Sequence, residues 1–214
     1  MNDVKTIRVM FEKRGRAKYI SHLDLMRTMT RVLRRAQIPL WYTEGFSKHP
    51  YITFAAPLSL GYEGYAETMD FRLEGEMSTE EIAERLNANM PVGLHVIQAA
   101  PAEMKAGQIA NAVWRLTFDA KFERMLREVL EQAEILVQKR TKKKTLKTVD
   151  IKPFIRNTVW SAEEDGRVTL TLELPCGENN INPSLLVDAV CEELADTVQI
   201  ARLGVYDAEG KLFQ

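Results

Sequence analysis

Lys48 and His49 sit between Tyr42 and Tyr51, in a stretch that ends Gly45-Phe46-Ser47-Lys48-His49-Pro50. Metal-independent RNA cleavage needs a group to deprotonate the 2′-hydroxyl, a group to protonate the leaving oxygen, and a cation near the phosphorane. His49 with Lys48, plus Tyr42 or Tyr51, could supply these groups. A lone histidine beside proline in a loop has a simpler structural use, so catalysis stands here as an alternative to binding.

The stronger chemical signal is anion binding. Arg27, Arg31, Arg34 and Arg35 fall on one side of a helical repeat, and residues 25–37 contain no acid. A merely solvated helix face usually mixes signs, with Glu placed to pair with Lys or Arg. Residues 5–50 hold four Lys and seven Arg against Glu12, Asp24 and Glu44, while the whole chain is −1. Such segregation predicts a polyanionic partner. Arg16 and Lys18 add to this cluster. A second lies at residues 139–156, with six Lys, two Arg and one Asp, and includes Lys142, Lys143, Lys144 and Lys147. A lysine run in a loop also reads as a solvated segment. If both clusters meet on one face, a few such cations can carry most of a nucleic-acid affinity.

Other chemistries lose ground. Cys176 and Cys191 stand far apart and the three histidines are scattered, so no metal and no cofactor is expected. Gly-rich phosphate loops, nucleophile elbows and dinucleotide fingerprints are missing. Asp24 reads as a helix cap and a partner for Arg27 or Thr28. His22 is expected to bond a nearby backbone group, His95 has no visible partner in its strand, and Asp150 has no second carboxylate. No apolar run reaches the roughly 20 residues of a membrane span, and residues 1–5 lack the apolar core of a signal peptide, so a cytoplasmic protein with reduced thiols is expected.

The elements that must position these groups follow from periodicity. Ile7, Val9 and Phe11 alternate, predicting a strand at 5–13. Ser21 with Asp24 caps a helix over 22–37, whose apolar positions Leu25, Met29, Val32, Leu33 and Ala36 turn the arginines away from the core. Strands at 52–54 and 67–73, a helix capped by Ser78 and Glu81, and a strand at 94–99 complete an α+β order: strand, helix, strand, strand, helix, strand. That is the split βαβ arrangement of ferredoxin-like domains with antiparallel sheets. The order recurs after a linker at 101–111, with strands around 114–118, 168–174 and 198–206 and helices around 122–133 and 182–194. Tandem ferredoxin-like halves, 1–104 and 111–214, are therefore expected.

Sheet-reading RNA modules stack bases on exposed strand aromatics, but the positions expected to face outward, Arg8, Met10, Thr68, Asp70 and Arg72, include none. Phosphates are instead expected along the arginines, with Phe46 and Tyr42 stacking an unpaired base. A Phe after Gly reads equally as a core plug.

Phe11-Glu12-Lys13-Arg14-Gly15-Arg16-Ala17-Lys18-Tyr19-Ile20-Ser21-His22-Leu23-Asp24-Leu25-Met26-Arg27, then Glu44-Gly45-Phe46-Ser47-Lys48-His49-Pro50 and Thr148-Val149-Asp150-Ile151-Lys152-Pro153, resemble a bacterial radical-SAM-linked family classed as a domain of unknown function. Its members stand free or are joined to the C-terminus of radical SAM proteins. The resemblance implies a helper that recruits substrate for a separately encoded radical SAM protein. This chain lacks the Cys-x-x-x-Cys-x-x-Cys run that holds a catalytic cluster, so radical chemistry would belong to that partner. More distantly, two ferredoxin-like halves with a basic helix and a histidine in the N-terminal half resemble the repeat-processing endoribonucleases of CRISPR systems, and it is this resemblance that implies cleavage, with His49, Lys48 and Tyr42 or Tyr51 as its groups. Three readings follow: an RNA-binding accessory protein, a metal-independent endoribonuclease, and a scaffold that docks an acidic protein without nucleic acid.

Overall fold

The computed structural model describes residues 4–140, 145–177 and 179–214. The chain is α+β, with a large, mostly antiparallel sheet and few helices. It divides into two compact units, Met1–Ile109 with Gly204–Gln214, and Ala110–Leu203. Among the described residues no helix is long and apolar enough to cross a membrane.

The first unit contains β1 (Val4–Lys13), α1 (His22–Arg35), β2 (Ile52–Thr53), β3 (Glu63–Glu74), α2 (Thr79–Asn87) and β4 (Leu94–Pro101). Their strand order is β4-β1-β3-β2, every ladder antiparallel. Alternation in β1 sends Ile7, Val9 and Phe11 into one core with Met69, Phe71 and Leu73 of β3. The same core takes Leu25, Met29, Val32 and Leu33 from α1, and Ile82 and Leu86 from α2. Each such side chain stabilises the unit by about 1.5–3 kcal/mol.

Ser21 Oγ accepts the Asp24 N–H at 3.2 Å, starting α1 where its spacing predicts. The helix ends at Arg35, short of the expected Gln37. Gln37 adopts φ 54°, and Ile38 N–H reaches back to Leu33 O at 3.2 Å. This is a Schellman-type stop made with Gln instead of Gly, which left no sequence signal.

The far face of β1 and β3 departs from expectation. Arg8, Met10 and Thr68 are buried, not outward-facing. Arg8, only 3% exposed, binds both carboxylate oxygens of Asp70 at 2.7 Å, Met104 O at 2.9 Å and Gln214 O at 3.1 Å. Its guanidinium carbon also lies 3.9 Å from the centre of the Phe213 ring. A guanidinium can be buried because these partners satisfy its fork of donors and cover its flat face.

The second unit runs β5 (Asn111–Asp119), α3 (Glu123–Glu131), β6 (Leu136–Arg140), β7 (Leu146–Asp150), β8 (Arg156–Ala162), β9 (Arg167–Pro175), α4 (Ser184–Asp188), α5 (Glu192–Thr197) and β10 (Gln199–Tyr206). β10 belongs to this unit up to Leu203 and to the first from Gly204. The order is β10-β5-β9-β8, with β6 and β7 paired as a separate antiparallel ribbon. Trp114, Leu116 and Phe118 of β5 are buried, as are Leu170 and Leu172 of β9 and Leu126 of α3.

Three features of this unit were not expected. The residues flanking the lysine run form the β6–β7 ribbon instead of an irregular loop. β8 escapes the alternation test because it is an edge strand whose residues are exposed except for half-buried Trp160. The single helix expected after Asn182 is two, because Cys191 is extended at φ −169°.

Candidate nucleic-acid interface

On α1 the four arginines are exposed while Leu25, Met29, Val32 and Leu33 are buried, so one amphipathic pattern creates both the core contact and the basic stripe. Arg27 donates to Asp24 Oδ1 at 3.2 Å, and Arg35 to Asn89 O at 3.3 Å. Arg34 lies 5.9 Å from the Tyr42 ring centre. Arg31 makes no hydrogen bond or ion pair with the described residues. Asp24 is the stripe's local counter-charge. The Ser21 hydroxyl first, then Arg27, holds its carboxyl below the ordinary aspartate range.

Arg16 and Lys18 stand on a 3-10 turn, Gly15–Tyr19, immediately before α1. Arg16 is exposed and Lys18 is half-buried, its Nζ 5.3 Å from the Tyr19 ring centre. Lys13, 2% exposed, fixes this turn from beneath by donating to Lys18 O at 3.3 Å and Ile20 O at 3.0 Å. Gly93 backs it from the other side: its carbonyl accepts from Arg14 N–H at 2.8 Å.

Residues 41–51 form a short hairpin finger. Tyr42 bridges Pro50, Thr43 N–H donates to His49 O at 2.9 Å, and Tyr51 N–H to Trp41 O at 3.4 Å. Its base is fixed to β3, since Trp41 N–H donates to Arg72 O at 2.9 Å and Arg72 N–H to Tyr51 O at 3.4 Å. The Arg72 guanidinium carbon lies 4.8 Å from the Trp41 ring centre and 4.3 Å from that of Tyr51. This cation–π clamp leaves the apex, Gly45 to Lys48, in solvent. Phe46 is fully exposed there and is not a core plug.

His49 is exposed near the end of the finger. Its Nδ1 lies 3.0 Å from Ser47 O and 3.2 Å from Thr43 Oγ1. A carbonyl oxygen only accepts, so the tautomer that makes this contact a hydrogen bond has its proton on Nδ1 and leaves Nε2 as the lone-pair nitrogen. Tyr42, Phe46, Lys48 and His49 thus share one finger, tied to the stripe through Arg34 and Tyr42. The Trp41–Arg72–Tyr51 clamp was missed by sequence reasoning. Two aromatics flanking the loop at positions 41 and 51 were its available signal.

The ribbon of the second unit has its own cations. Lys139 faces Lys147 in the ladder, and its Nζ donates to Asn180 O at 2.7 Å. Lys147 is exposed; Lys142, Lys143 and Lys144 lie outside the described residues. Asp150 Oδ1 accepts from Ile135 N–H at 2.8 Å and Lys152 N–H at 3.0 Å, a turn-forming use. Lys152 Nζ donates to Leu130 O. In the first unit, exposed His22 sets its ring edge-on to Phe54, with centres 5.3 Å apart, instead of making the expected backbone bond. His95 is exposed opposite Glu12 in the β1–β4 ladder. Among the described residues no group of three or more His, Cys, Asp and Glu could hold a metal ion.

The family described as "Uncharacterized protein conserved in bacteria (DUF2344)" matches residues 6–183. The chain belongs to this family. Its matched span takes in α1, the finger and the β6–β7 ribbon. No curated protein matches. Among solved structures, the chain is similar to an unknown protein from Galdieria sulphuraria, at 8% identity and a TM-score of 0.28, covering 94% of this chain and 99% of that one. A superposition of that quality leaves the function of the DUF2344 chain to its own residues.

Proposed function

We propose that this DUF2344 protein is an RNA-binding accessory protein that recruits substrate for a separately encoded radical SAM enzyme. The observation that carries the RNA-binding part is the α1 stripe: four exposed arginines on a rigid helix, with Asp24 the sole acid among the helix's own residues. Guanidinium groups bind phosphates in a forked geometry, and rigid placement limits the entropy lost on binding. The radical SAM partner rests on the family resemblance. Both units are read as ferredoxin-like, a reading supported by their matching strand orders, β4-β1-β3-β2 and β10-β5-β9-β8. RNA is preferred over DNA by analogy with other proteins built on such repeats.

The test replaces Arg31 and Arg34 together by Ala. RNA affinity is expected to fall with the fold intact, and the slope of log affinity against log salt to flatten by about 1.4 for a single strand, two phosphate contacts being lost. Unchanged binding rejects this reading and leaves docking of an acidic protein, detectable by copurification that survives nuclease treatment.

The Nε2 lone pair of His49, oriented by the bond at Nδ1, favours the endoribonuclease as a second reading, with Lys48 beside the phosphorane and Tyr42 as the proton donor. RNA should then be cut in the presence of a chelator, and His49→Ala should lose cutting but keep binding. RNA left intact after prolonged incubation eliminates this chemistry.

A further inference from the structure

Phe46 is a large apolar ring in full solvent, on a finger clamped at its base, between exposed Lys48 and the Arg34–Tyr42 pair. An apolar side chain in this position buries nothing in the folded chain, which leaves both ring faces open to a ligand. Lys48 on the same finger and Arg34 against its Tyr42 select a partner that offers negative charge and flat π-faces together, which is the chemistry of a nucleic acid.

The number of stacking groups narrows the RNA further. Proteins that run along a single strand offer successive aromatics to successive bases. Here one ring, Phe46, stands at the apex, Tyr42 lower on the finger being faced by Arg34, beside a stripe that spans only about 12 Å from Arg27 to Arg35 at 1.5 Å per residue. A single ring can cover a single base face, and a face is open for stacking where a duplex ends and its strand continues unpaired. The arginines then meet the phosphates of the continuing strand.

We propose that the 41–51 finger recognises the junction between a duplex and a single strand in a folded RNA, with Phe46 stacked on the last base pair and the α1 arginines on the phosphates beyond it. The inference rests on the RNA-binding reading above and adds the class of RNA. Pre-organisation comes from the clamp, because Trp41 and Tyr51 hold Arg72 and the finger to β3 before any ligand arrives.

The full-length protein is titrated with three RNAs of equal charge: a blunt duplex, a single strand, and a stem carrying a single-stranded tail, with 2-aminopurine as the terminal paired base of the stem. The tailed stem should bind tightest, and the fluorescence of its reporter should fall on binding. Phe46→Ala should weaken the tailed stem by about 5- to 150-fold, the range of one lost stack. The single strand should lose less than the tailed stem, so that the preference disappears, and Phe46→Trp should retain it. Phe46 contributes nothing to the core, so the variant folds. Equal affinity for all three RNAs, or a preference and fluorescence change that survive Phe46→Ala, overturns the junction reading while RNA binding stands. Absence of binding to any RNA, with the Arg31 and Arg34 double variant indistinguishable from the parent, overturns both.

Discussion

Asp24 shows how one side chain serves both the fold and the basic surface. Its amide is capped by Ser21, the Ser21 hydroxyl donates to its Oδ2 at 2.8 Å, and Arg27 pairs with its Oδ1. These contacts favour the charged carboxylate, so its folded value is depressed below that of the unfolded chain. The sign follows from linkage: the contribution is complete at neutral pH, above the unfolded value of about 3.9, and is lost as pH falls through the folded value. Asp24→Asn should therefore flatten the pH dependence of the unfolding free energy below about pH 4, measured by urea titration from pH 7 to pH 2. Parallel curves for parent and variant would show that the carboxylate has no such role. Arg31 on the same helix is exposed, and Lys13 is the opposite case, a buried cation that donates to two carbonyl oxygens.

At the scale of elements, the turn carrying Arg16 and Lys18 depends on Gly93. That residue has φ 88°, and an added Cβ would lie 2.6 Å from Arg14 O and 2.9 Å from the Ala17 Cβ. Gly93→Ala thus combines a disfavoured backbone with a clash, and is expected to cost about 2–4 kcal/mol, read as a lowered urea midpoint at unchanged slope. Elements with strong one-sided periodicity were legible from residue types: β1, α1, α2, β5 and β9 lie where alternation or helical spacing put them. β8 was hidden because its exposed, polar face carries no apolar rhythm. The β6–β7 ribbon was hidden because cations occupy positions where strands usually show alternation. In the candidate site, the arginine stripe was readable because it is the complement of an apolar one. The finger was not, since its clamp joins Trp41 and Tyr51 to Arg72, a partner more than twenty residues along the chain, and spacing within a loop cannot specify such a contact.

Taken as a whole, the molecule is unequal in how its two units are made from the chain. The second is continuous, Ala110–Leu203, while the first needs Gly204–Gln214 in addition to its own strands. Phe213 is completely buried, and its amide donates to Val205 O at 2.9 Å as its ring lies against Arg8. A desolvated guanidinium held over a ring gains about 2 kcal/mol, so this contact is an appreciable part of a stability usually about 5–15 kcal/mol in total. A polypeptide leaving the ribosome offers Arg8 about two hundred residues before Phe213. Until then the guanidinium has no ring above it, and the unit bearing the arginine stripe waits, open to chaperones, for a segment made after the other unit has emerged entire.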